Sequence, residues 1–323
     1  MDRAEPMAPT APFVETILPY IDPAFGPTVL YEYKRTETTH HYDPHPVRIH
    51  DARAVAGELS LAHNGFTLIE HRSAVTDFRD AEQIKRVYYP EVERLVRELT
   101  GAARVLVFGD VLRSDDSLRK PLVAPEGGLD NDRVFVDSAR EAETAPPMQV
   151  HEPASNPHID FNEKTVRRLA AGMLGAEAAD YAGKRVALIN LWRGIETVER
   201  KPLAVCDART VAADHLTLGL IGTRPEDPGD FLEGFNVAYS PAHRWYYYPR
   251  MRPEEVLVFK LCDSDAAQPQ LTAHTAFDDP SSPPGAAPEP GDSHHLVLRR
   301  LGRPPNPSRP SPAFRPAHGG ARA

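Results

Sequence analysis

The sequence predicts an α+β fold in which a double-stranded β-helix (jelly-roll) core is flanked by N-terminal helices. Two observations support this prediction. Apolar residues recur at helical spacing in the first half of the chain, whereas short segments rich in β-branched and aromatic residues follow from Lys184 onward. Pro, Gly and Asp separate these segments, as is typical of sandwiches and barrels. The chain of 323 residues is long enough to bury a substantial core.

Two helices and one strand are predicted before residue 175. The first helix covers 80–100, where the apolar residues lie on one helix face and Gly101 follows as a C-terminal cap. Because Pro90 falls inside this pattern, we expect the helix to be split or kinked there. The segment 103–113 has the composition of a buried strand, and a second helix is predicted over Glu163–Leu174.

Six strands are predicted in the C-terminal half of the chain. They cover 185–193, 202–207, 234–240, 243–249, 255–263 and 294–301. The Pro-, Ser-, Gly- and Ala-rich stretch 278–293 reads as a long loop between the last two of these strands.

The prolines help to place the ends of the domain. We expect 51–301 to form a single jelly-roll domain, preceded by a partly irregular N-terminal extension at 1–50. The segment 302–323 is rich in proline and has no apolar period, so a disordered tail is predicted.

Composition excludes several classes of protein. The formal net charge of -9 argues against a general nucleic-acid binder, because such proteins neutralise phosphates. No apolar run approaches the roughly 20 residues that span a bilayer, and the N-terminus has no signal-peptide pattern. The cysteines, Cys206 and Cys262, are too few for a disulfide framework and are expected to be reduced. A soluble, cytoplasmic protein without a membrane or nucleic-acid partner is the expectation, and its oligomeric state stays open.

His158 and Asp160, in "NPHIDFNEKTVRRL", are candidates for a metal site. Residues two apart in an extended segment point the same way, so both side chains could bind one ion. His274, in "LTAHTAFDDP", could supply a third ligand shortly after a predicted strand. Two histidines and one carboxylate form the usual site of non-haem Fe(II) oxygenases, and jelly rolls often host it.

The same pair also has a simpler interpretation. Asp160 could cap the helix that begins near Glu163, and a chain with 14 histidines is expected to contain a His-x-Asp pair by chance. The adjacent pairs His50–Asp51 and His151–Glu152 are rivals with a less suitable spacing. The spacing alone therefore leaves ligand and helix cap both open.

Three longer stretches carry a family resemblance. They are "NLWRGIETVERKPLAVCDART", "YSPAHRWYYYPRMRPEEVLVFKLCDSD" and "AHTAFDDPSSP". Together with the segment that begins "NGFTLIEHRSAV", they resemble, over about 65–283, the gibberellin desaturase-like and AsaB-like hydroxylase/desaturases and the CmcJ-like methoxylation proteins. The order of these motifs, two of them with tryptophan, makes the signal specific.

The resemblance implies an Fe(II)/2-oxoglutarate-dependent oxygenase. It places His158, Asp160 and His274 at the positions of the family's metal ligands, with 2-oxoglutarate and dioxygen as co-substrates. It further implies hydroxylation or desaturation of a small, natural-product-like substrate. A degenerate member that serves as a non-catalytic binding or accessory protein is the alternative.

One departure from the family pattern concerns the arginine that would bind the distal carboxylate of 2-oxoglutarate. The pattern Pro-Arg-x-Ser, then Ile-Glu-x-Arg, corresponds here to "PGDSHHLVLRRL". If Ser293 is the motif serine, Gly291 stands where the first arginine is expected. A buried carboxylate is bound best by the planar fork of an arginine. If "LVLRRL" corresponds to the second half of the pattern, Arg299 takes the place of the second arginine. The candidates, in order, are Arg299, then Arg193 or Arg244; the last alternative is that 2-oxoglutarate is not bound in the family's way.

Further residues have both a functional and a structural interpretation. Alternation along 243–248 places His243, Trp245 and Tyr247 on one face, as core packing or as a pocket wall. Lys260 lies among apolar residues and would need a carboxylate partner such as Asp263 or Asp207. The histidines in "TTHHYDPHP" (His40, His41 and His45) lie in a polar loop, where a second metal is not favoured.

Overall fold

The computed structural model describes residues 11–31, 35–113, 150–151, 153–222, 231–283 and 292–300, of which 150–151 and 292–300 are described by their backbone alone. Two β-sheets dominate these residues and enclose a shared hydrophobic core. Among the helices in these ranges, none has the length and apolar character that crossing a membrane requires.

The strands are β1 (Phe13–Ile21), β2 (Thr28–Tyr31), β3 (Tyr42–Asp51), β4 (Phe66–Glu70), β5 (Arg104–Arg113), β6 (Val150–His151), β7 (His158–Ile159), β8 (Val186–Gly194), β9 (Leu203–Cys206), β10 (Leu216–Gly222), β11 (Leu232–Val237), β12 (Trp245–Tyr247), β13 (Glu255–Asp263), β14 (His274–Ala276) and β15 (Asp292–Arg300). The larger sheet has nine strands in the order β1-β3-β12-β9-β14-β7-β11-β10-β2. The smaller sheet has six, in the order β4-β13-β8-β15-β5-β6.

The helices are α1 (Ala81–Gln83), α2 (Tyr89–Thr100), α3 (Glu163–Leu174) and α4 (Ala178–Tyr181). The split predicted in the first helix is present, since a π-helical turn separates α1 from α2. Pro90 follows this π-helical turn, at a place where the missing N–H of a proline interrupts the regular helical hydrogen bonds. Gly101 ends α2 with φ of 65°, as predicted.

Two hydrophobic clusters hold these layers together. The larger cluster lies between the sheets and contains Trp245 from one sheet and Trp192 and Phe259 from the other. The smaller cluster packs α2, through Val92 and Val96, against the outer face of the six-stranded sheet. The predicted fold class, a jelly-roll core with flanking N-terminal helices, is confirmed.

Three strands lie in the range that the sequence assigns to an N-terminal extension. β1 pairs with β3 along its whole length, and β2 pairs in parallel with β10. These strands therefore continue the larger sheet on both sides. The boundaries at residues 50 and 301 stay predictions, and the tail at 302–323 lies outside the described residues.

Buried polar residues away from the site behave as structural groups. Lys260 Nζ lies 2.9 Å from Asp263 Oδ2, which confirms one of the two predicted partners. Arg185 also binds the Asp263 carboxylate, so the buried charges are paired. Cys206 and Cys262 are unpaired, as predicted, and both are buried.

Candidate metal centre and its cavity

Strands β7 and β14 are neighbours in the middle of the larger sheet. They run antiparallel, and His274 is aligned with His158 across the pair. Because directly opposed residues point to the same face of a sheet, this register alone brings together two imidazoles that are distant in sequence. Their ring centroids are 4.3 Å apart.

Asp160 directly follows β7 and completes the cluster. Its Oδ1 lies 3.3 Å from His158 Nε2, and its Oδ2 lies 3.5 Å from His274 Nε2. One ligand atom from each of the three residues lies within 4.8 Å of the others. Among the residues that the structure describes, no other group of three His, Cys, Asp or Glu side chains is gathered in this way.

The orientation of His158 is fixed by its own backbone neighbourhood. Its Nδ1 donates a hydrogen bond to the carbonyl oxygen of Asn156, at 2.7 Å, which leaves the Nε2 lone pair for another partner. The Asn156 side chain donates to Asn236 Oδ1, and Asn236 donates to Thr28 Oγ1. This chain of amides anchors the loop before β7 to the neighbouring strands.

Asp160 is not the cap of α3. That role belongs to Asn162, whose side chain accepts a hydrogen bond from the Thr165 N–H at 3.0 Å. Asp160 is held instead by close packing, since a Cβ placed on Gly234 would lie 2.2 Å from the Asp160 carbonyl oxygen. Of the two interpretations left open by the sequence, the helix cap is therefore wrong.

The protonation states of the cluster suit a cation. Burial raises the pKa of the Asp160 carboxyl, but His274 and His158 together hold it well below its usual range. Burial, with His158 nearby, lowers the pKa of His274. At neutral pH the carboxylate is therefore ionised and the His274 imidazole is neutral, which are the forms that bind a divalent metal.

The donor set itself fits a mononuclear iron site. Two imidazole nitrogens and one carboxylate supply three ligands and leave coordination positions for other groups. Cysteine ligands would favour zinc or an iron–sulfur cluster, and no cysteine joins the cluster within the described residues.

A cavity of about 460 Å³ opens beside His158 and Asp160. Its near wall includes Arg113 and Asn190, and a narrow recess lined by Arg113, Trp192 and His274 adjoins it. Its far wall is formed by Leu30, Thr38, His40, Tyr42, Leu220 and Ile221. A cavity of this size, mostly apolar with a few convergent polar groups, is typical of a small-molecule site.

Arg193 lies away from this cavity. Its side chain points from β8 toward α2, where it donates to His71 Nδ1 at 2.8 Å and packs over Tyr88 and Phe78. The alternation of a strand explains this, because Trp192, the preceding residue, faces the triad. The structure therefore does not bring Arg193 to the triad.

The described residues do not place the other two candidate arginines, Arg244 and Arg299, at the cavity. Arg244 is half-buried beside β12 and is not among the residues that line the cavity or its recess. The backbone of Arg299 pairs with Ala187 and Val105, and its side chain lies outside the described part of the structure. A role for Arg299 in binding 2-oxoglutarate stays a prediction.

The rival histidines have other partners. Asp51 caps a short 3-10 helix, and His45 Nε2 lies 2.7 Å from Asp43 Oδ2. His40 Nδ1 hydrogen-bonds Tyr42, and His41 stacks on Phe25. Glu152, of the pair His151–Glu152, lies outside the described residues.

Two cavity residues, Arg113 and Asn190, were not singled out from the sequence. Asn190 belongs to the motif "NLWRG", in which the charged residue Arg193 is the predicted candidate. A signal for Arg113 was present in Gly109, since a glycine inside a strand pattern indicates a bulge that changes which face later residues occupy.

A jelly roll with a His-x-Asp pair and a distal His beside a cavity is typical of mononuclear non-haem metal enzymes. The sequence profile described as "Oxidoreductase/YMDC permease-like domain" matches residues 18–290. The chain belongs to this oxidoreductase family.

Named relatives sharpen the assignment. The chain is 32% identical to the hydroxylase/desaturase efuI of Hormonema carpetanum over 249 residues, which cover 73% of this chain and 78% of that protein. It is 32% identical to the alpha-ketoglutarate-dependent dioxygenase phiK of a fungal species, covering 72% and 75%. The resemblance to hydroxylase/desaturases found in the motifs is confirmed.

A solved structure shares the architecture. The iron and alpha-ketoglutarate-dependent endoperoxidase NvfI superposes with a TM-score of 0.70 at 25% identity, over 91% of this chain and 99% of that one. The expected enzyme class agrees with the names of these relatives.

Proposed function

We propose that this protein is an Fe(II)- and 2-oxoglutarate-dependent dioxygenase that hydroxylates or desaturates a small, natural-product-like molecule. The observation that carries the proposal is the convergence of His158, Asp160 and His274 where the cavity meets its recess. The names of the relatives support the choice of iron and of 2-oxoglutarate.

The three side chains would hold the metal, each with a separate task. His158 presents Nε2 because its Nδ1–H is bound by the Asn156 carbonyl. Asp160 supplies negative charge, and its backbone packs closely against Gly234. His274 is 1% exposed and packs against Phe259, so its side chain has little freedom to move. Bound iron would supply the activation of dioxygen, which is the oxidant for attack on a C–H bond while 2-oxoglutarate is oxidised to succinate and CO2.

The remainder of the cavity would bind the organic molecules. Its far wall combines apolar side chains from β2 and β10 with the hydroxyl-bearing residues Thr38 and Tyr42. Such a wall suits a mainly apolar substrate with a few oxygen atoms. A cytoplasmic location stays a prediction.

An anaerobic titration tests the proposal. Protein loaded with Fe(II) is mixed with 2-oxoglutarate, and the visible metal-to-ligand charge-transfer band is followed. The band should appear and saturate, and succinate should form once air and a substrate are admitted. Absence of the band together with absence of succinate would refute the proposal.

The alternative, a non-catalytic binding or accessory protein, is favoured by one observation. Gly291 stands where the family pattern has an arginine. This alternative expects iron to bind without 2-oxoglutarate, so the same titration separates the two functions.

A further inference from the structure

The narrow recess beside the cavity reaches the most deeply buried ligand of the candidate metal centre. Its volume is about 10 Å³, which is room for about one water-sized molecule. The recess extends from His274, which is 1% exposed, to Lys201, whose side chain is 26% exposed. It therefore lies between the metal ligands and the surface of the protein.

Apolar side chains form most of the wall of this recess. Of the nine described residues that line it, five are apolar, and the two charged ones are Arg113 and Lys201. A water molecule in a buried site needs several polar partners, whereas an apolar diatomic gas needs none. The recess is thus too narrow for an organic molecule and is suited to a small apolar one. The apolar residues are Pro153, Ala154, Trp192, Leu203 and Ala276.

Lys201 is held at the outer end of the recess in a conformation that lysine rarely adopts. Its φ is 46°, in the left-handed region, and Pro202 restricts its backbone further. Its Nζ lies 2.6 Å from Asp278 Oδ1. The Phe277 N–H donates to the Pro202 carbonyl oxygen at 3.3 Å, so the two segments that carry this ion pair are joined. Because strained non-glycine residues are concentrated at functional sites, the position of Lys201 indicates a role beyond packing.

A gas needs a route that the organic molecules do not block. 2-Oxoglutarate and a substrate would occupy the cavity of about 460 Å³ beside His158 and Asp160, because the recess cannot hold them. His274 lines the recess and is not among the described residues that line the cavity. A gas that entered through the recess would therefore reach the centre while the cavity is full.

We propose that this recess, closed on its outer side by the Lys201–Asp278 ion pair, is the passage through which dioxygen reaches the metal centre. The inference rests on the proposed function, which requires dioxygen as a co-substrate. Asp278 is 83% exposed, and ion pairs at the surface are weak. The passage can therefore open without unfolding the protein around it.

Nitric oxide tests the inference, because it is a diatomic gas that binds Fe(II) reversibly and is not consumed. Fe(II)-loaded protein with saturating 2-oxoglutarate is mixed with nitric oxide in the absence of air. Stopped-flow absorbance gives the association and dissociation rates, and an equilibrium titration gives Kd. Fe(II) affinity and the thermal midpoint are measured for each protein.

Two variants should change the rates in opposite directions. Ala276→Val narrows the recess and should lower both nitric oxide rates by about fivefold or more. Lys201→Gly removes the side chain at the outer end and should raise both rates by about threefold or more. The Kd of nitric oxide should stay unchanged in each variant, because a group that lines a path alters entry and exit by the same factor.

Arg250→Gly is the matched control for Lys201→Gly. Arg250 also has a positive φ, of 47°, and lies 3.2 Å from Glu199 in an ion pair, but it does not line the recess. It should bind nitric oxide at wild-type rates. The thermal midpoint should not fall in either glycine variant, since glycine adopts a positive φ without strain.

Ala154→Val is a second way to narrow the recess, from the loop before β7. It replaces Ala276→Val if that variant loses affinity for Fe(II), because Ala276 lies two residues from His274. All variants should bind 2-oxoglutarate as wild type does, since it enters by the cavity.

Wild-type rates in the narrowed variant or in Lys201→Gly, or an equal acceleration in Arg250→Gly, would overturn the inference and leave the proposed function intact. So would a change in Kd that matches the change in association rate, because a group that contacts the bound gas acts in that way. A wild type that shows no charge-transfer band with 2-oxoglutarate would instead overturn the proposed function, and with it dioxygen as the molecule that uses the recess.

Discussion

Two pairs of histidine rings lie close together among the described residues, and their surroundings differ. In the metal pair, His158 and His274, the ring centroids are 4.3 Å apart; in the packing pair, His215 and His243, they are 4.8 Å apart. Similar spacing therefore does not distinguish them. Their surroundings do, because a partly buried carboxylate and a cavity adjoin the metal pair alone among the described residues.

The packing pair uses its ring nitrogens within the protein. His243 Nε2 lies 3.0 Å from His215 Nδ1, which also accepts from the Ala212 N–H, and His243 stacks on Tyr20. The nearest carboxylate, that of Asp214, is 3.9 Å from His215 Nε2 and largely exposed. A histidine pair can bind a metal when each imidazole keeps one ring nitrogen with a free lone pair and a carboxylate in a fixed position lies beside the two rings.

The largest effect is expected from His274→Ala. Removal of one of three ligands should lower Fe(II) affinity by more than about 100-fold, since loss of a group that merely orients a ligand already costs 10–100-fold. Isothermal titration with Fe(II) under argon measures the change. His215→Ala is the matched control and should bind Fe(II) as wild type does. An equal loss of Fe(II) affinity in the two variants would show that the two histidine pairs do not differ in metal binding.

The next effect concerns the carboxylate that marks the metal pair. In Gly234→Ala, the new Cβ would meet the Asp160 carbonyl oxygen at 2.2 Å, so β7 must shift. We expect a loss of about 1–3 kcal/mol in the free energy of unfolding, with weaker Fe(II) binding. Gly57→Ala has open space around its Cβ and serves as the control. Unchanged iron affinity in Gly234→Ala would contradict this support of Asp160.

The packing pair should be visible in the pH dependence of stability. Burial, with His215 nearby, lowers the pKa of His243 from 6.5 to about 4. As the pH falls through this window, the unfolded chain takes up a proton that the folded chain refuses, so the free energy of unfolding decreases. Above pH 6.5 the contribution is fully present.

Urea unfolding at several pH values between 7.5 and 4 measures this slope. His243→Gln should show a shallower dependence than wild type. Identical slopes in the two proteins would show that His243 titrates normally in the folded chain.

The smallest effect separates the helix cap from the metal ligand. Asn162→Ala removes the cap of α3 and should cost about 1 kcal/mol of stability, measured by thermal unfolding. Fe(II) affinity should not change, since the cap and the ligand are different residues. A cap variant that lost iron and kept its stability would reverse the assignment of Asp160 and Asn162.

Much of the fold could be predicted from local pattern. The bounds of α3 match the predicted helix because of its helical apolar period, and β13 matches the predicted strand at 255–263 because it is a nearly continuous apolar run. The strands β7 and β14 could not be predicted, since they have two and three residues and exist through pairing with their neighbours. β10 has an apolar, alternating sequence and was missed.

The sequence by itself predicted the candidate ligand set. The spacing of His158 and Asp160, the distal His274 and the motifs around them were sufficient to name three residues and a chemistry. The spacing of two ligands is a local property of the sequence, and the order of the motifs can be seen along the chain. Neither requires knowledge of how the strands pair.

The tertiary structure decided which polar residues meet that site. Cross-strand register placed His274 opposite His158, strand alternation turned Arg193 away, and the bulge at Gly109 turned Arg113 inward. Each outcome depends on a shift of a single residue in pairing, which reverses the face of a side chain. A one-residue shift leaves composition and apolar period almost unchanged, so these choices were settled by the packing of the two sheets.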